Sequence, residues 1–208
     1  MYNRFSVKKC LIAYTVISCF LSMTFIACGD DVTSAQSETM TDPRDGQVYN
    51  VVTIGSQTWM AENLNFETGS SFCYNNEESD CTKYGRLYKW AAATTACPEG
   101  WHLPTKAEFE TLFTAVGGQL MAGKVLKSIS GWYNSGNGTD AFGFSALPAG
   151  FGYDDGDLID EGYSACFWSS TEDGSYYAYN MELYFLNVNA NLFKNYKDNG
   201  FSVRCLRD

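Results

Sequence analysis

The sequence predicts a single α+β domain in which two helices come early, a long loop region follows, and an antiparallel β-sheet ends the chain. Three observations carry this prediction. A capping box begins a helix at Thr105, a stretch rich in Gly, Asn and Asp occupies the middle of the chain, and apolar residues alternate with others near the C-terminus. Helices, then loops, then strands are typical of the α+β class.

The first 27 residues predict an export signal that lies outside the folded domain. Arg4, Lys8 and Lys9 form a short positive segment, and an uncharged apolar run extends from residue 10 to residue 27. Phe-Ile-Ala-Cys-Gly at residues 25–29 resembles a bacterial lipobox, which predicts lipid attachment at Cys28. Simple cleavage and an uncleaved anchor are the alternatives, because a run of this length is at the lower limit for a membrane-spanning helix.

These features predict a lipoprotein of the cell envelope, anchored to a membrane by its N-terminal lipid and either periplasmic or on the cell surface, with the outer membrane as the expected membrane. Residues 28–41 are polar and predict a flexible tether, which leaves residues 42–208 for the domain. At this length the domain has an adequate core without a second domain.

The charge of the chain excludes one class of partner. The formal net charge is −10, and removal of the three basic residues in the signal leaves −13. A surface this acidic is repelled by phosphate backbones, so we expect no nucleic acid as a partner. Neutral glycans, peptides and cations remain compatible.

The elements of the domain follow in order from local patterns. A strand pair is predicted at residues 48–54 and 57–60, turned by Gly55-Ser56. Apolar residues at helical spacing predict a first helix over residues 86–97, which Pro98 ends. The second helix begins with the capping box and ends at Gly117-Gly118.

The second half of the domain is predicted as loops followed by strands. Residues 131–162 predict a long surface loop region around the short apolar run 142–147. Alternation predicts a strand over residues 177–185, a second one around residues 192–196, and a last one over residues 201–206.

Five cysteines remain in the domain, and an exported chain forms disulfides. At most two disulfides can form among five cysteines, and the sequence alone does not resolve the fifteen possible arrangements. Cys73 and Cys81 flank a turn-rich segment whose ends can meet, so we expect them to pair, with Cys97 and Cys205 as the long bridge. Cys166 is then the free thiol. Its neighbours Phe167 and Trp168 favour a buried, inert thiol over a nucleophile.

Seven segments of the chain resemble the Fibrobacter succinogenes major paralogous domain family, in the same order and over about residues 41–208. The resemblance implies an exported lipoprotein and a fold similar to C-type lectin-like domains and to formylglycine-generating enzymes. It also implies the Cys97–Cys205 pair, because in those folds a helix ends in Cys and the last strand carries Cys. The segments are Asp42-Pro43-Arg44-Asp45-Gly46-Gln47-Val48-Tyr49, Gln57-Thr58-Trp59-Met60-Ala61-Glu62-Asn63-Leu64, Tyr84-Gly85-Arg86-Leu87-Tyr88, Cys97-Pro98-Glu99-Gly100-Trp101-His102-Leu103-Pro104, Gly143-Phe144-Ser145-Ala146-Leu147-Pro148, Phe167-Trp168-Ser169-Ser170-Thr171-Glu172 and Phe201-Ser202-Val203-Arg204-Cys205.

The resemblance supplies no catalytic residues. C-type lectins hold sugar through Ca²⁺ bound by Glu-Pro-Asn or Gln-Pro-Asp and by Trp-Asn-Asp, and none of these motifs occurs here. Formylglycine-generating enzymes need a paired-cysteine copper site, whereas only Cys166 remains unpaired. His102 is the only histidine, and without an evident carboxylate partner in the sequence it is interpreted as structural.

Two groups of residues are candidates for ligand binding. Asp154, Asp155 and Asp157 surround Gly156 and are a weak candidate for Ca²⁺, since acidic residues also occur in turns for backbone reasons. Aromatic residues in or beside the loop region are the better candidates, because their faces stack on sugars or anchor protein partners. They are Trp132, Tyr133, Phe151, Tyr153, Tyr163, Tyr176 and Tyr177.

Together these predictions favour a lipid-anchored binding or adhesion module for a glycan or a surface protein, without a catalytic site. A diverged enzyme of the formylglycine-generating type that uses Cys166, and a structural envelope lipoprotein, are the alternatives.

Overall fold

The computed structural model describes residues 38–208, so the predicted export signal and Cys28 lie outside the described residues. The four α-helices are α1 (Glu78–Tyr84), α2 (Trp90–Ala96), α3 (Lys106–Ala115) and α4 (Gln119–Leu126). The strands are β1 (Thr39–Thr41), β2 (Val48–Ile54), β3 (Gln57–Met60), β4 (Ser71–Phe72), β5 (Leu87–Lys89), β6 (Trp101–His102), β7 (Ala149–Gly152), β8 (Leu158–Glu161), β9 (Ser164–Asp173), β10 (Tyr177–Tyr184), β11 (Ala190–Tyr196), β12 (Gly200–Phe201) and β13 (Leu206–Arg207).

The α+β class predicted from the sequence is confirmed, with strands arranged in two sheets. The first sheet has the order β1-β2-β3-β13-β6, which places the last strand of the chain between two early ones. The second has the order β11-β10-β9-β7-β12-β5-β4, with β8 paired to β7. Among these pairs only β7 and β9 run parallel.

The long strands of the second sheet separate two hydrophobic cores. Phe167 and Trp168 are adjacent on β9 and both fully buried, and their side chains lie on opposite faces of the strand. Phe167 belongs to the cluster that contains Phe109 and Met181, whereas Trp168 belongs to the other cluster, where its ring centroid lies 4.3 Å from that of Phe201. Both faces of the second sheet are covered by a hydrophobic core. The alternating side chains of β10 therefore point into two cores, and not into one core and solvent.

The capping box at Thr105 forms as predicted. The Thr105 hydroxyl accepts from the Glu108 backbone N–H, and the Glu108 carboxylate accepts from the Thr105 N–H at 2.6 Å. Gly117 and Gly118 then adopt φ angles of 97° and 100°, which end α3 before α4 begins. The domain therefore has four helices in place of the predicted two.

The predicted helix over residues 86–97 is wrong in its first part. Residues Leu87–Lys89 form β5, which pairs with β4 and β12, and only Trp90–Ala96 is helical. Gly85 precedes the strand at a φ of 74°, and a Cβ there would lie 2.7 Å from the Cβ of Asn63. Sheet pairing with distant strands thus overrides the local helical spacing.

Three other boundaries differ from the sequence predictions. Residues Thr39–Thr41, assigned to the tether, pair with β2, and Met40 packs against the core. The long loop region contains the hairpin β7–β8. The predicted last strand divides into β12 and β13, which belong to different sheets.

The part of the chain that the structure describes contains no helix long and apolar enough to span a membrane.

Candidate functional site

A cleft of about 600 Å³ opens between β2, the segment that follows β3, helix α1 and residues 143–147. Its walls combine hydrogen-bonding side chains with a few apolar ones. The hydrogen-bonding residues that line it are Gln47, Tyr49, Asn50, Glu62, Asn63, Asn65, Thr82, Lys83, Tyr84 and Ser145. Four of these are amides, which offer both donors and acceptors without a charge.

Arg204 lies fully buried beside the cleft and links its lining residues. Its Nε donates to Oδ1 of Asn63 at 2.7 Å, and its Nη2 donates to the Ser145 carbonyl at 3.1 Å. Its Nη1 donates to the carbonyls of Met60 and Phe144. The guanidinium therefore fixes the positions of two cleft residues, Asn63 and Ser145, from the buried side of the cleft wall.

The acceptors of Arg204 among the described residues are all uncharged oxygens. Burial lowers the pKa of Arg204 to about 9, against the opposing effect of the negative charges of Glu62 and Asp140. Asp140 in turn accepts from the Ser145 backbone N–H at 2.7 Å and from its hydroxyl at 2.5 Å. Ser145 is thus held between Arg204 and Asp140, in a left-handed conformation with a φ of 51°.

The rim of the cleft carries one carboxylate that is already oriented. Glu62 Oε2 accepts from the Asn50 backbone N–H at 2.7 Å, and Oε1 faces the Asn50 side-chain amide at 3.3 Å. Nearby, the Asn65 N–H donates to the Tyr49 hydroxyl at 3.0 Å. Oδ1 of Asn65 is buried and has no hydrogen-bond partner within the described residues.

Helix α1 forms the opposite wall and is fixed by a disulfide and by ion pairing. Both predicted disulfides are present, Cys73–Cys81 and Cys97–Cys205. Cys81 lines the cleft, and the neighbouring Lys83 lies 3.4 Å from Glu161. Glu78 Oε2 lies 3.6 Å from Cys73 Sγ, but both sulfurs of this cluster are bonded to each other and are not free to bind a metal.

Cys166, the predicted free thiol, is unpaired and buried at 1% exposure. Burial, together with the negative charges of Glu182 and Asp160, raises the pKa of the thiol well above its ordinary value. The side chain is therefore a neutral thiol in the core, without access to a substrate.

His102 has two carboxylate partners that the sequence did not reveal. Its Nδ1 lies 2.6 Å from Oδ1 of Asp208, and its Nε2 lies 3.0 Å from Oε1 of Glu108. Burial alone would lower the pKa of His102, but the hydrogen bonds to Asp208 and Glu108 outweigh it and raise the pKa. The sequence-based expectation that His102 has no carboxylate partner is therefore wrong, whereas its interpretation as a structural residue stays a prediction.

The aromatic candidates divide into exposed and buried residues. Trp132 is 5% exposed, and its Nε1 donates to Ser128 Oγ and to the Ala146 carbonyl, so its prediction as an exposed ligand-binding residue is wrong. Phe151 is partly buried and packs on the core at 5.6 Å from Phe201. Tyr153 packs edge-on against Phe151 and is 43% exposed.

The remaining aromatic candidates lie at the surface in two places. Tyr133 and Tyr163 stack with ring centroids 4.5 Å apart. Tyr176 is 74% exposed at the turn before β10, and Tyr177 pairs with Tyr196 across the strands at 4.6 Å.

Asp154, Asp155 and Asp157 do not gather into a cluster of converging carboxylates in the described domain. They lie in the turn between β7 and β8, where the Asp157 N–H donates to Oδ1 of Asp155 at 3.1 Å. The Tyr153 N–H donates to the Asp157 carbonyl, which closes the hairpin. The acidic residues therefore serve the turn, and Ca²⁺ binding at these positions stays a prediction.

The sequence model of the Fibrobacter succinogenes major domain family matches residues 52–207. The chain belongs to this family. No curated protein and no solved structure matches the chain. The match covers the cleft from Val52 onward, including Glu62, Asn63 and Arg204, whereas Asn50 and Gln47 lie just before it.

Most cleft residues of this family member could not be selected from the sequence. Glu62 and Asn63 lie in residues 57–64, and Arg204 lies in residues 201–205, two of the segments that carry the family resemblance. Nothing in either segment indicates that the two meet in the fold. The only signal was the presence of an Arg within an otherwise apolar last segment, where a charged residue requires buried partners.

Proposed function

We propose that the domain is an extracytoplasmic binding module and that the cleft beside Arg204 takes a neutral glycan. The observation that carries this proposal is the composition of the cleft, in which the amides of Gln47, Asn50 and Asn65, Ser145 and one oriented carboxylate line about 600 Å³. Sugar hydroxyls donate and accept at once, and amides together with a carboxylate match both requirements.

The charges at the cleft favour a neutral ligand over an anionic one. Glu62 stands at the rim, and its charge repels anions. Lys83 is the basic residue of the lining, and it is already paired with Glu161 and placed over the Tyr84 ring at 4.3 Å.

Preorganisation of the cleft supports binding without a large ordering cost. Asn63 donates to the Tyr84 carbonyl at 2.7 Å, accepts from Arg204, and is buried, so it has one conformation before a ligand arrives. The Cys73–Cys81 disulfide restrains the opposite wall. A rigid site loses less conformational entropy when it binds.

We also propose that the fold is C-type lectin-like. Helix α2 ends at Cys97, which is bonded to Cys205 near the last strand, and the Trp101-His102-Leu103-Pro104 segment leads into α3. The first and last strands of the domain meet in one sheet, where β13 pairs with β3. These features agree with the arrangement that the sequence resemblance implied.

The proposed location rests on the N-terminal sequence. The positive segment, the apolar run and the lipobox-like residues around Cys28 support lipid anchoring in the cell envelope, periplasmic or on the cell surface. The two disulfides in the domain agree with an oxidising compartment.

The alternative of a formylglycine-generating type of enzyme depends on Cys166 as the reactive residue. The environment of Cys166 does not favour this alternative, because the thiol is buried and protonated. The alternative of a structural envelope lipoprotein predicts that no glycan binds, so a glycan-binding experiment tests this alternative as well.

A glycan array and a pull-down from the organism's own cell surface test the proposal with the full chain. We expect binding to neutral glycans, reduced about tenfold in Glu62→Gln, because a hydrogen bond to a charged group contributes about 1.5–3 kcal/mol, more than the hydrogen bond that an uncharged Gln leaves. Glu99→Gln is the matched control, because Glu99 is exposed and does not line the cleft. No ligand in either assay, or equal losses in both variants, would count against the proposal.

A further inference from the structure

A group of aromatic rings lies at the surface apart from the residues that line the cleft. Tyr133 and Tyr163 stack at 4.5 Å, and Phe185 packs edge-on against both, at 5.6 Å and 5.2 Å. We call these three residues the aromatic platform. Tyr133 is 52% exposed, so a large part of its side chain is open to solvent although Tyr163 and Phe185 both pack against its ring.

The loop that carries Tyr133 is held in a fixed conformation. Buried Trp132 anchors its start, and the Trp132 backbone N–H donates to Oδ1 of Asn137. The Tyr133 N–H donates to the Gly162 carbonyl at 2.8 Å, which ties it to the residue before Tyr163. A Cβ at Gly136 would lie 2.7 Å from the Cβ of Phe185, so only glycine permits this approach.

Two consecutive residues of the same loop are in a conformation that costs free energy. Asn134 and Ser135 have φ angles of 46° and 64°, the left-handed region that residues other than glycine rarely occupy. Such backbone strain persists where the surroundings over-determine it, and it is enriched at ligand-binding positions. The strain here directly follows the exposed ring of Tyr133.

The segment beneath Phe185 is fixed by a buried lysine. Lys127 is 3% exposed, and its Nζ lies within hydrogen-bonding distance of the carbonyls of Tyr184, Phe185 and Asn187, at 3.1, 3.4 and 3.0 Å. Its ammonium also lies 5.0 Å from the Trp132 ring centroid. Lys127 therefore contacts both the segment that contains Phe185 and the Trp132 ring, which anchors the loop of Tyr133.

We propose that the aromatic platform is a second binding surface for a neutral glycan, on which the exposed part of the Tyr133 ring packs against a pyranose ring. Aromatic faces are complementary to the C–H faces of sugars, and the exposed residues next to the ring, Asn134, Ser135 and Asn137, offer uncharged hydrogen-bonding groups. The proposal rests on its own residues and does not require that the cleft binds a ligand.

The charge near the platform selects among sugars. Asp160 is close to the platform, because the Tyr163 N–H donates to its backbone carbonyl at 2.9 Å. Lys127 is buried, and its ammonium is occupied by the carbonyls of the Phe185 segment. An anionic sugar would be repelled by the Asp160 carboxylate, whereas a neutral sugar carries no such penalty.

The test measures binding of the full chain in detergent solution to four soluble probes. Cellohexaose, xylohexaose and maltohexaose are neutral, and hexagalacturonate is anionic. We compare wild type with Tyr133→Ala, which removes the ring, and Tyr133→Phe, which keeps it. Tyr176→Ala is the control, because Tyr176 is also an exposed tyrosine but lies at a different turn.

We expect at least one neutral probe to bind, with a loss of roughly tenfold in Tyr133→Ala, little change in Tyr133→Phe and none in Tyr176→Ala, as the removal of one stacking ring predicts. The proposal is overturned if no neutral probe binds, if only hexagalacturonate binds, or if Tyr133→Ala binds as well as wild type.

Including Glu62→Gln separates the two proposals. A loss in this variant alone supports the cleft and overturns the platform, and a loss in Tyr133→Ala alone does the reverse.

Discussion

Arg204 Nε donates a 2.7 Å hydrogen bond to Oδ1 of Asn63, a residue 141 positions earlier in the chain. Both residues are buried, and Asn63 also contacts Ser202 Oγ through its amide nitrogen at 3.2 Å. The bond joins the end of the chain to the segment after β3 and places Asn63 in the wall of the cleft. The shape of the cleft therefore depends on a contact between the two ends of the domain.

Replacement of Arg204 by Leu is expected to lower the free energy of unfolding by about 3–5 kcal/mol, because buried acceptors at Asn63, Met60, Phe144 and Ser145 lose their donor. Urea unfolding followed by tryptophan fluorescence measures this loss. Arg207→Leu is the control, since Arg207 is partly exposed and pairs with Glu38 at the surface, where an ion pair contributes about 0–1 kcal/mol. Equal stabilities of the two variants would contradict the role assigned to Arg204.

His102 is expected to titrate above its ordinary pKa, because the hydrogen bonds to Asp208 and Glu108 outweigh the effect of burial. It is the single histidine of the chain, so one NMR titration of its ring protons reports it directly. We expect a midpoint above 6.5 in wild type and a lower midpoint in Asp208→Asn. Asp198→Asn, a change at another exposed carboxylate, should leave the midpoint unchanged.

The same cluster predicts how stability depends on pH. The raised pKa of His102 means that its contribution is fully present below its unfolded pKa and is lost as the pH rises through its folded pKa. Glu108 has a lowered pKa because its hydrogen bonds to Thr105 and His102 outweigh burial, so its contribution is present above its unfolded pKa and is lost in acid. The cluster is therefore most stabilising between about pH 4.5 and 6.5. The stability difference between wild type and His102→Gln should therefore shrink as the pH rises from about 6.5 through the folded-state pKa of His102. A difference that stays constant over this rise would refute the assignment.

Loss of the long disulfide is expected to destabilise the domain more than loss of the short one. The chain-entropy estimate is about 4.8 kcal/mol for Cys97–Cys205 and about 2.6 kcal/mol for Cys73–Cys81, since the bridges close loops of very different length. Thermal unfolding of the two double Cys→Ser variants compares them. The short bridge should nevertheless have the larger effect on glycan affinity, because Cys81 lines the cleft and Cys97 does not.

Cys166 is expected to resist thiol reagents in the native protein. Its burial and raised pKa keep the thiolate population and its access low. Peptide mapping after labelling with iodoacetamide should find Cys166 unmodified in buffer and modified in denaturant. Rapid labelling in buffer would restore it as a candidate for chemistry.

Local sequence patterns correctly predicted the helix and the hairpin that are stabilised by residues close together in the sequence. The hairpin of β2 and β3 turns at Gly55, and α3 begins at its capping box, because both depend on residues within a few positions of each other. The same reasoning failed at residues 86–89, where pairing with β4 and β12 decides the conformation. It also failed at Trp132, whose indole nitrogen finds acceptors at Ser128 and Ala146 only in the folded loop.

The sequence by itself determined the class of the fold, the family and the expectation of export, because composition, residue spacing and sequence motifs express these properties. The pairing of Cys97 with Cys205, 108 residues apart, depends on the tertiary structure. Only the tertiary structure decided where a ligand can bind. Arg204 donates to Asn63 beside the cleft, Tyr133 stacks on Tyr163, and Asp208 contacts His102. Each of these contacts joins residues that are not neighbours in sequence, and such pairs are fixed by the packing of sheets and helices, which no local pattern encodes.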